Sequence, residues 1–213
     1  MKQRKGIVFG LVVAIGILGL PGRATASFVI SAGTFGCRAM GVRVGTHPEI
    51  VANPAITPCA DDAGRVAHIG VTVAGSPYPV DVDDGYVWTT PRWEPDGYDP
   101  VSASARVGDA IIGMYPLSPL GIEAVYASAL LPICQPLRPE MARSSVGQVR
   151  LGITTLYPGA DPMNVPIDGV GVLHLNWKRF SAAEVVQRAV YLETGNPETE
   201  VIIAEVRLRP CTT

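Results

Sequence analysis

Hydrophobic positions along this chain fall into two patterns. One is an unbroken block, residues 6–20, of fifteen uncharged residues rich in Val, Ile and Leu. The other recurs through the rest of the chain as short β-prone runs between clusters of Gly, Pro, Asp and Asn. Residues 66–73 alternate, with Ala67, Ile69, Val71 and Val73 on one face. Residues 101–114 begin with small side chains and end apolar. Residues 122–131 set Ile122, Ala124, Tyr126 and Ser128 opposite Glu123, Val125, Ala127 and Ala129. Residues 149–156 place Val149, Leu151, Ile153 and Thr155 together, and residues 170–175 form another apolar run. In residues 201–208, Ile202, Ala204, Val206 and Leu208 face one way, with Glu205 and Arg207 a solvent-facing pair on the other. Strands at this spacing predict an all-β fold, a two-sheet antiparallel β-sandwich of immunoglobulin-like kind with long loops. Each strand would bury one face between sheets about 10 Å apart.

Residues 182–193 read two ways. Ser181 followed three residues later by Glu184 is a capping-box pattern. Val185, Val186, Ala189, Val190 and Tyr191 then suit a short helix that Gly195-Asn196-Pro197 would stop. As a strand, Val186, Arg188, Val190 and Leu192 would share a face. Over so short a window periodicity does not decide between them.

The N-terminal block carries its own context. Lys2, Arg4 and Lys5 precede it, Pro21-Gly22 breaks it, and Ala24-Thr25-Ala26 offers the small residues a signal peptidase reads before Ser27. A bilayer-spanning helix needs about 20 residues, so the block is an export signal over residues 1–26. Residues 27–213 are then one secreted domain, with no second apolar stretch to span a membrane. The charge balance changes accordingly. The whole chain has 17 Lys+Arg and 19 Asp+Glu. The leader holds four of the bases and no acid, so the mature chain is net acidic and unsuited to nucleic-acid backbones.

Export also changes how the cysteines read. Cys37, Cys59, Cys134 and Cys211 are an even number in an oxidising compartment, and no C-x-x-C suggests zinc or a redox site. Two disulfides are expected. Of the three pairings, Cys37–Cys59, closing a short loop, with Cys134–Cys211, pinning the C-terminus, is favoured.

No catalytic signature stands out. G-x-S-x-G, H-E-x-x-H and a phosphate-cradling Gly loop are all missing, and His47, His68 and His174 are far apart. The chain reads as a non-enzyme without a cofactor. A serine hydrolase assembled from scattered Ser, His and Asp is the last of the alternatives.

The most distinctive segment spans residues 78–98. Tyr78, Tyr86, Trp88, Trp93 and Tyr98 are five of the chain's fourteen aromatics, interleaved with acids and prolines. Rings beside carboxylates suit either a protein interface, where Tyr and Trp are common anchors, or a glycan, whose C–H faces stack on rings while its hydroxyls bond to acids. A plain proline-braced loop covering a core edge uses the same residues. Asp81, Asp83 and Asp84 offer oxygen donors that could hold Ca²⁺, although the EF-hand pattern fails.

Several stretches together resemble the secreted actinobacterial choice-of-anchor proteins, the choice-of-anchor P group in particular. They are Phe35-Gly36-Cys37-Arg38-Ala39 with Val42 and Val44, Val51-Ala52-Asn53-Pro54, Pro58-Cys59-Ala60-Asp61-Asp62, residues 102–107, residues 124–129, Ser144-Ser145 leading into Val149-Arg150-Leu151, Leu173-His174-Leu175-Asn176, and residues 201–207. The ordered set covers most of residues 28–209. The resemblance implies an extracellular β-rich domain, often tethered to the envelope, with no chemistry to carry over. It also tips residues 184–193 toward a strand. Many relatives end in a sorting motif, an apolar helix and a basic tail, which this sequence does not show. The expectation is therefore a secreted or envelope-associated protein that binds an envelope protein or a glycan without covalent wall anchoring.

Overall fold

The computed structural model describes residues 35–91, 101–132 and 136–210. These residues form two antiparallel six-stranded sheets. The terminal sheet contains β1 (Gly36–Val44), β2 (His47–Ala52), β9 (Met163–Ile167), β10 (Gly171–Phe180), β11 (Val185–Glu193) and β12 (Val201–Arg209), in spatial order β2-β1-β12-β11-β10-β9. The meander sheet runs in chain order through β3 (Asp62–Val71), β4 (Val80–Thr90), β5 (Val101–Ile112), β6 (Leu120–Leu131), β7 (Ala142–Leu151) and β8 (Thr154–Leu156). Hairpins between sequence neighbours build the meander, whereas the β1–β12 ladder joins strands from the two ends of the domain. β1 packs over β4 and β5, β12 over β5 and β6, and β11 over β6 and β7. The result is the expected two-sheet antiparallel sandwich.

A break in the ladders crosses each sheet at right angles to its strands. In the meander, the ladder skips Ala67, Asp84, Gly108, Ala124 and Gly147, which lie opposite one another on β3 to β7. In the terminal sheet it skips Ile50, Gly41, Ala204, Ala189 and Asn176 on β2, β1, β12, β11 and β10. Alternate strands carry a left-handed residue there: Asp84 (φ 49°), Ala124 (φ 54°), Ile50 (φ 53°), Ala204 (φ 54°) and Asn176 (φ 57°). Register is unchanged on either side, so this is no bulge with an inserted residue. Each strand instead slips its in–out alternation by one. β6 buries Leu120 and Ile122 before the row, then Val125, Ala127, Ala129 and Leu131 after it. β5 buries Val101, Ala103, Ala105 and Val107, then Ala110 and Ile112.

This row corrects several sequence-based faces. Val125, Ala127 and Ala129 point inward with Ile122, and Tyr126 and Ser128 point outward with Glu123. In β3, Ala67 and His68 are both exposed, so Ala67 does not share a face with Ile69 and Val71. The run 149–156 is two strands, β7 and β8, turning at Gly152-Ile153 rather than one extended face. In β12, Ala204 sends Ile202 to the outer face while Val201 and Ile203 point inward.

Residues 185–193 form a strand, not a helix. Ser181 and Glu184 use their capping groups to close a turn. The Glu184 N–H donates to Ser181 Oγ (3.1 Å) and the Ser181 N–H to the Glu184 carbonyl (2.9 Å). β11 has a ladder on both sides and is buried on both faces almost throughout. Those contacts outweigh a weak helix preference. Beneath it, between the sheets, Gln187 Nε2 donates to Ser144 Oγ (2.7 Å), which donates to Asn176 Oδ1 (2.8 Å). Asn176 Nδ2 holds the carbonyls of Gly159 and Asp161 (3.0 and 2.9 Å), which pins the β8–β9 connection to β10.

Cys37 and Cys59 form a disulfide, with Cα atoms 4.9 Å apart. Asn53 shapes the connecting loop by donating to the carbonyls of Cys37, Ile56 and Pro58 (2.7, 3.0 and 3.0 Å). The Asp62 carboxylate, at the start of β3, accepts from the N–H groups of Asn53 (2.7 Å) and Ala63 (2.9 Å). The other expected bridge, Cys134–Cys211, lies outside the described residues. A Cys37→Ala/Cys59→Ala double variant is expected to lose about 3 kcal/mol on the chain-entropy model. Urea unfolding checks it, and a loss below about 1 kcal/mol would assign the loop's order to Asn53 alone.

Candidate functional site

The meander sheet turns one face to the terminal sheet and the other outward. Cross-strand pairing aligns the outward side chains into rows. One row, on one side of the ladder break, reads Arg65, Tyr86, Arg106, Tyr126 and Ser145 across β3 to β7. The next reads Ala63, Trp88, Ser104, Ser128 and Arg143. On the other side of the break, His68, Asp83, Asp109, Glu123 and Gln148 stand opposite one another. Three carboxylates on adjacent strands repel, an arrangement that costs stability where nothing offsets it. Here His68 Nδ1 lies 2.7 Å from Asp83 Oδ1 and Arg150 lies 3.4 Å from Glu123.

Tyr86 and Trp88 stand two residues apart on one face of β4, with ring centroids 5.0 Å apart and tilted by 31°. Tyr126 projects from the same sheet face two strands away. It lines two shallow depressions. One, of about 570 Å³, is bordered by Trp88, Arg106, Asp109, Glu123 and Tyr126. The second, of about 530 Å³, is bordered by Tyr126, Ser102, Ser104, Ser128 and Arg143. Arg138 and Glu140, 3.9 Å apart, sit at its rim. Rings, hydroxyls, guanidiniums and carboxylates thus share one open surface on a rigid sheet. Such a surface can stack a flat apolar face and exchange hydrogen bonds at its margins.

Of the aromatics singled out from the sequence, Tyr86 and Trp88 come together. Tyr78 is half-buried in the turn before β4, at the opposite end of that strand from Trp88. Trp93 and Tyr98 lie outside the described residues. Asp81 and Asp83 face outward on β4, and Asp84 turns left-handed with its carboxylate 3.7 Å from Arg65. Among the described residues, no group of three or more His, Cys, Asp or Glu side chains is arranged to hold a metal ion. The histidine rings share hydrogen bonds with Asp83, with Asn164 and Glu193, and with Thr46. No serine–histidine hydrogen bond forms among the described residues. Sequence reading missed Tyr126, Arg106 and Arg143, because each is a single residue in a strand and joins the surface only through cross-strand register.

The terminal sheet carries a different cluster on its outer face. The expected solvent-facing pair is not found: Arg207 is half-buried, and Glu205 is 1% exposed. It accepts from Arg188 Nε (2.7 Å) and Arg207 Nε (2.6 Å). Arg188 lies over Trp177 and Tyr191, its guanidinium carbon 4.6 and 4.5 Å from the ring centroids. Burial works against the Glu205 charge, but the hydrogen bonds and charges of Arg207 and Arg188 prevail and hold its carboxyl below the usual range. Burial lowers Arg38 and Arg43, whose Nε atoms have no hydrogen-bond partner among the described residues. Burial and the hydrogen bond to Glu200 push the Tyr191 phenol up to about 12. The centre of this cluster is enclosed and largely paired within the sheet, which marks it as structural; the outward-facing rows of the meander make the better candidate site. No family model, curated protein or solved structure matches this chain.

Proposed function

We propose that this chain is an exported, non-catalytic binding protein of the cell envelope, with the outer face of the meander sheet as its contact surface. The observation that carries the reading is the outward-facing set of Tyr86, which is exposed, and Trp88 and Tyr126, which are half-buried, on adjoining rows of one sheet. The basic–apolar–small order of residues 1–26 supports export, and the Cys37–Cys59 disulfide suits an oxidising compartment. The resemblance to choice-of-anchor proteins points to the same setting. A glycan fits this face better than a protein partner. The rings adjoin serine hydroxyls, carboxylates and guanidiniums instead of a contiguous apolar patch, which a protein interface core would favour.

Trp88→Ala is expected to weaken retention on isolated cell envelopes by roughly 30-fold, the about 2 kcal/mol of an anchoring aromatic. Trp88 points away from the core, so circular dichroism should be unchanged. Retention equal to that of the parent protein would remove this face from the function. Retention abolished by protease treatment of the envelopes, and not by glycan digestion, would select the protein partner.

A further inference from the structure

We propose that this surface takes an acidic glycan, with a carboxylate-bearing sugar seated between Tyr126 and Arg143. The assignment rests on the binding role given above to the meander face.

Charge on this face is sorted by the ladder break. Asp81, Asp83, Asp109 and Glu123 all lie on one side of it, and their described partners, His68 and Arg150, lie there too. Asp84 stands in the break itself and pairs with Arg65. On the other side, Arg106 and Arg143 are exposed, and among the described residues neither has a carboxylate within ion-pair distance. Arg143 faces the second depression together with Ser102, Ser104 and Ser128. No hydrogen bond to another described residue occupies those three hydroxyls. The Arg138–Glu140 pair at the rim is close to neutral as a unit.

The two depressions therefore differ in what they can read. Beside Trp88 and Tyr126, Asp109 and Glu123 accept from sugar hydroxyls and outnumber the one guanidinium there, Arg106, so this depression does not favour a ligand carboxylate. Beside Tyr126, Arg143 offers a planar fork of N–H donors that matches a carboxylate. The serine hydroxyls donate or accept as the neighbouring sugar requires. Tyr126 forms a wall of both depressions and presents a ring to either sugar. An uncharged sugar fits the first depression and an acidic one the second. Arg106 and Arg143, without a carboxylate partner among the described residues, also orient the ligand, since its charge is drawn to one half of the sheet and excluded from the other.

The test is affinity electrophoresis of the protein purified as secreted, through gels containing hyaluronan, polygalacturonate or dextran. Retardation by at least one acidic polymer, at least tenfold stronger than by dextran and weakened by salt, is the expected result. Arg143→Gln should reduce that affinity about tenfold and flatten its salt dependence. Arg143→Lys should restore the salt dependence and part of the affinity. Both variants lie on the exposed face and should keep the parent's circular dichroism. Equal retardation by dextran, or an Arg143→Gln protein indistinguishable from the parent, overturns the carboxylate assignment while leaving a glycan-binding face. Retardation by none of the three polymers overturns the assignment as well. Envelope retention by the Trp88→Ala variant then decides separately whether the face binds at all.

Discussion

Glu205→Gln is expected to destabilise the protein by about 3–5 kcal/mol, the usual cost of breaking a buried ion pair from one side. The glutamate lies at the centre of the terminal sheet with guanidiniums on both sides. Arg188 and Arg207 bond its two oxygens, and Arg38 and Arg43 on β1 feel its charge. Glutamine keeps the shape and one acceptor oxygen but removes the charge that offsets them. Two of those guanidiniums already carry a buried Nε with no hydrogen-bond partner among the described residues, so little is left to compensate. Urea unfolding at neutral pH measures the loss, and a change under about 1 kcal/mol would show that the arginines are neutralised by other means.

The same residue sets an acid dependence. Its carboxyl is held below the ordinary value, so the folded state binds a proton less readily than the unfolded chain. Its contribution is therefore complete above the unfolded glutamate value of about 4.3 and drains away as pH falls below it toward the lowered folded value. Glu205→Gln lacks that titration, and its stability should fall less steeply with acid over this range.

The second large effect is expected at the ladder break. A Cβ on Gly147 would stand 2.9 Å from Ala124 Cβ and 3.2 Å from the Glu123 carbonyl oxygen. The neighbouring atoms belong to or adjoin backbone, so they cannot swing aside. Gly147→Val is expected to cost about 3 kcal/mol, at the upper end of overpacking penalties. Ala124→Gly removes the obstructing methyl. It also relieves a left-handed alanine, a conformation that costs about 1–2 kcal/mol with a side chain. The two substitutions should therefore couple, with Gly147→Val milder in the Ala124→Gly background by about 1 kcal/mol or more. Strict additivity in a double-mutant cycle would mean that the two positions do not meet across the ladder.

Much of the architecture is legible from local pattern. Alternating runs bounded by Gly, Pro and Asn mark strands, and their spacing marks two layers. The short Cys37–Cys59 loop marks a bridge. What escapes is the side of the sheet that each residue faces. Reading alternation straight through residues 122–131 puts Ala124 with Ile122, and one left-handed alanine reverses everything after it. Nothing in the identities of Ile50, Ala124 or Ala204 announces that backbone state, since glycine or asparagine is its usual mark. Only Asn176, and to a lesser degree Asp84, carries the customary chemistry. The 182–193 ambiguity has a similar origin, because a capping box is also a serviceable four-residue turn. In the candidate site, Tyr86 and Trp88 are visible as neighbours on one strand. Arg106, Tyr126 and Arg143 are 20 or so residues apart, and a strand sequence does not state its partner's register.

The ladder break also runs out to the margins of both sheets, at the left-handed Ile50 in β2 and at Ala67 in β3. The opposite margins, β8 and β9, are only three and five residues long. β3 is the longest margin, and its pleat reverses at Ala67. A straight foreign strand can match the five residues before that point or the four after it, but not both together. Zippering of one molecule onto the next is thus interrupted before it can propagate. The margin thus gains protection from fibril templating through backbone geometry, with no lysine or proline set along β3.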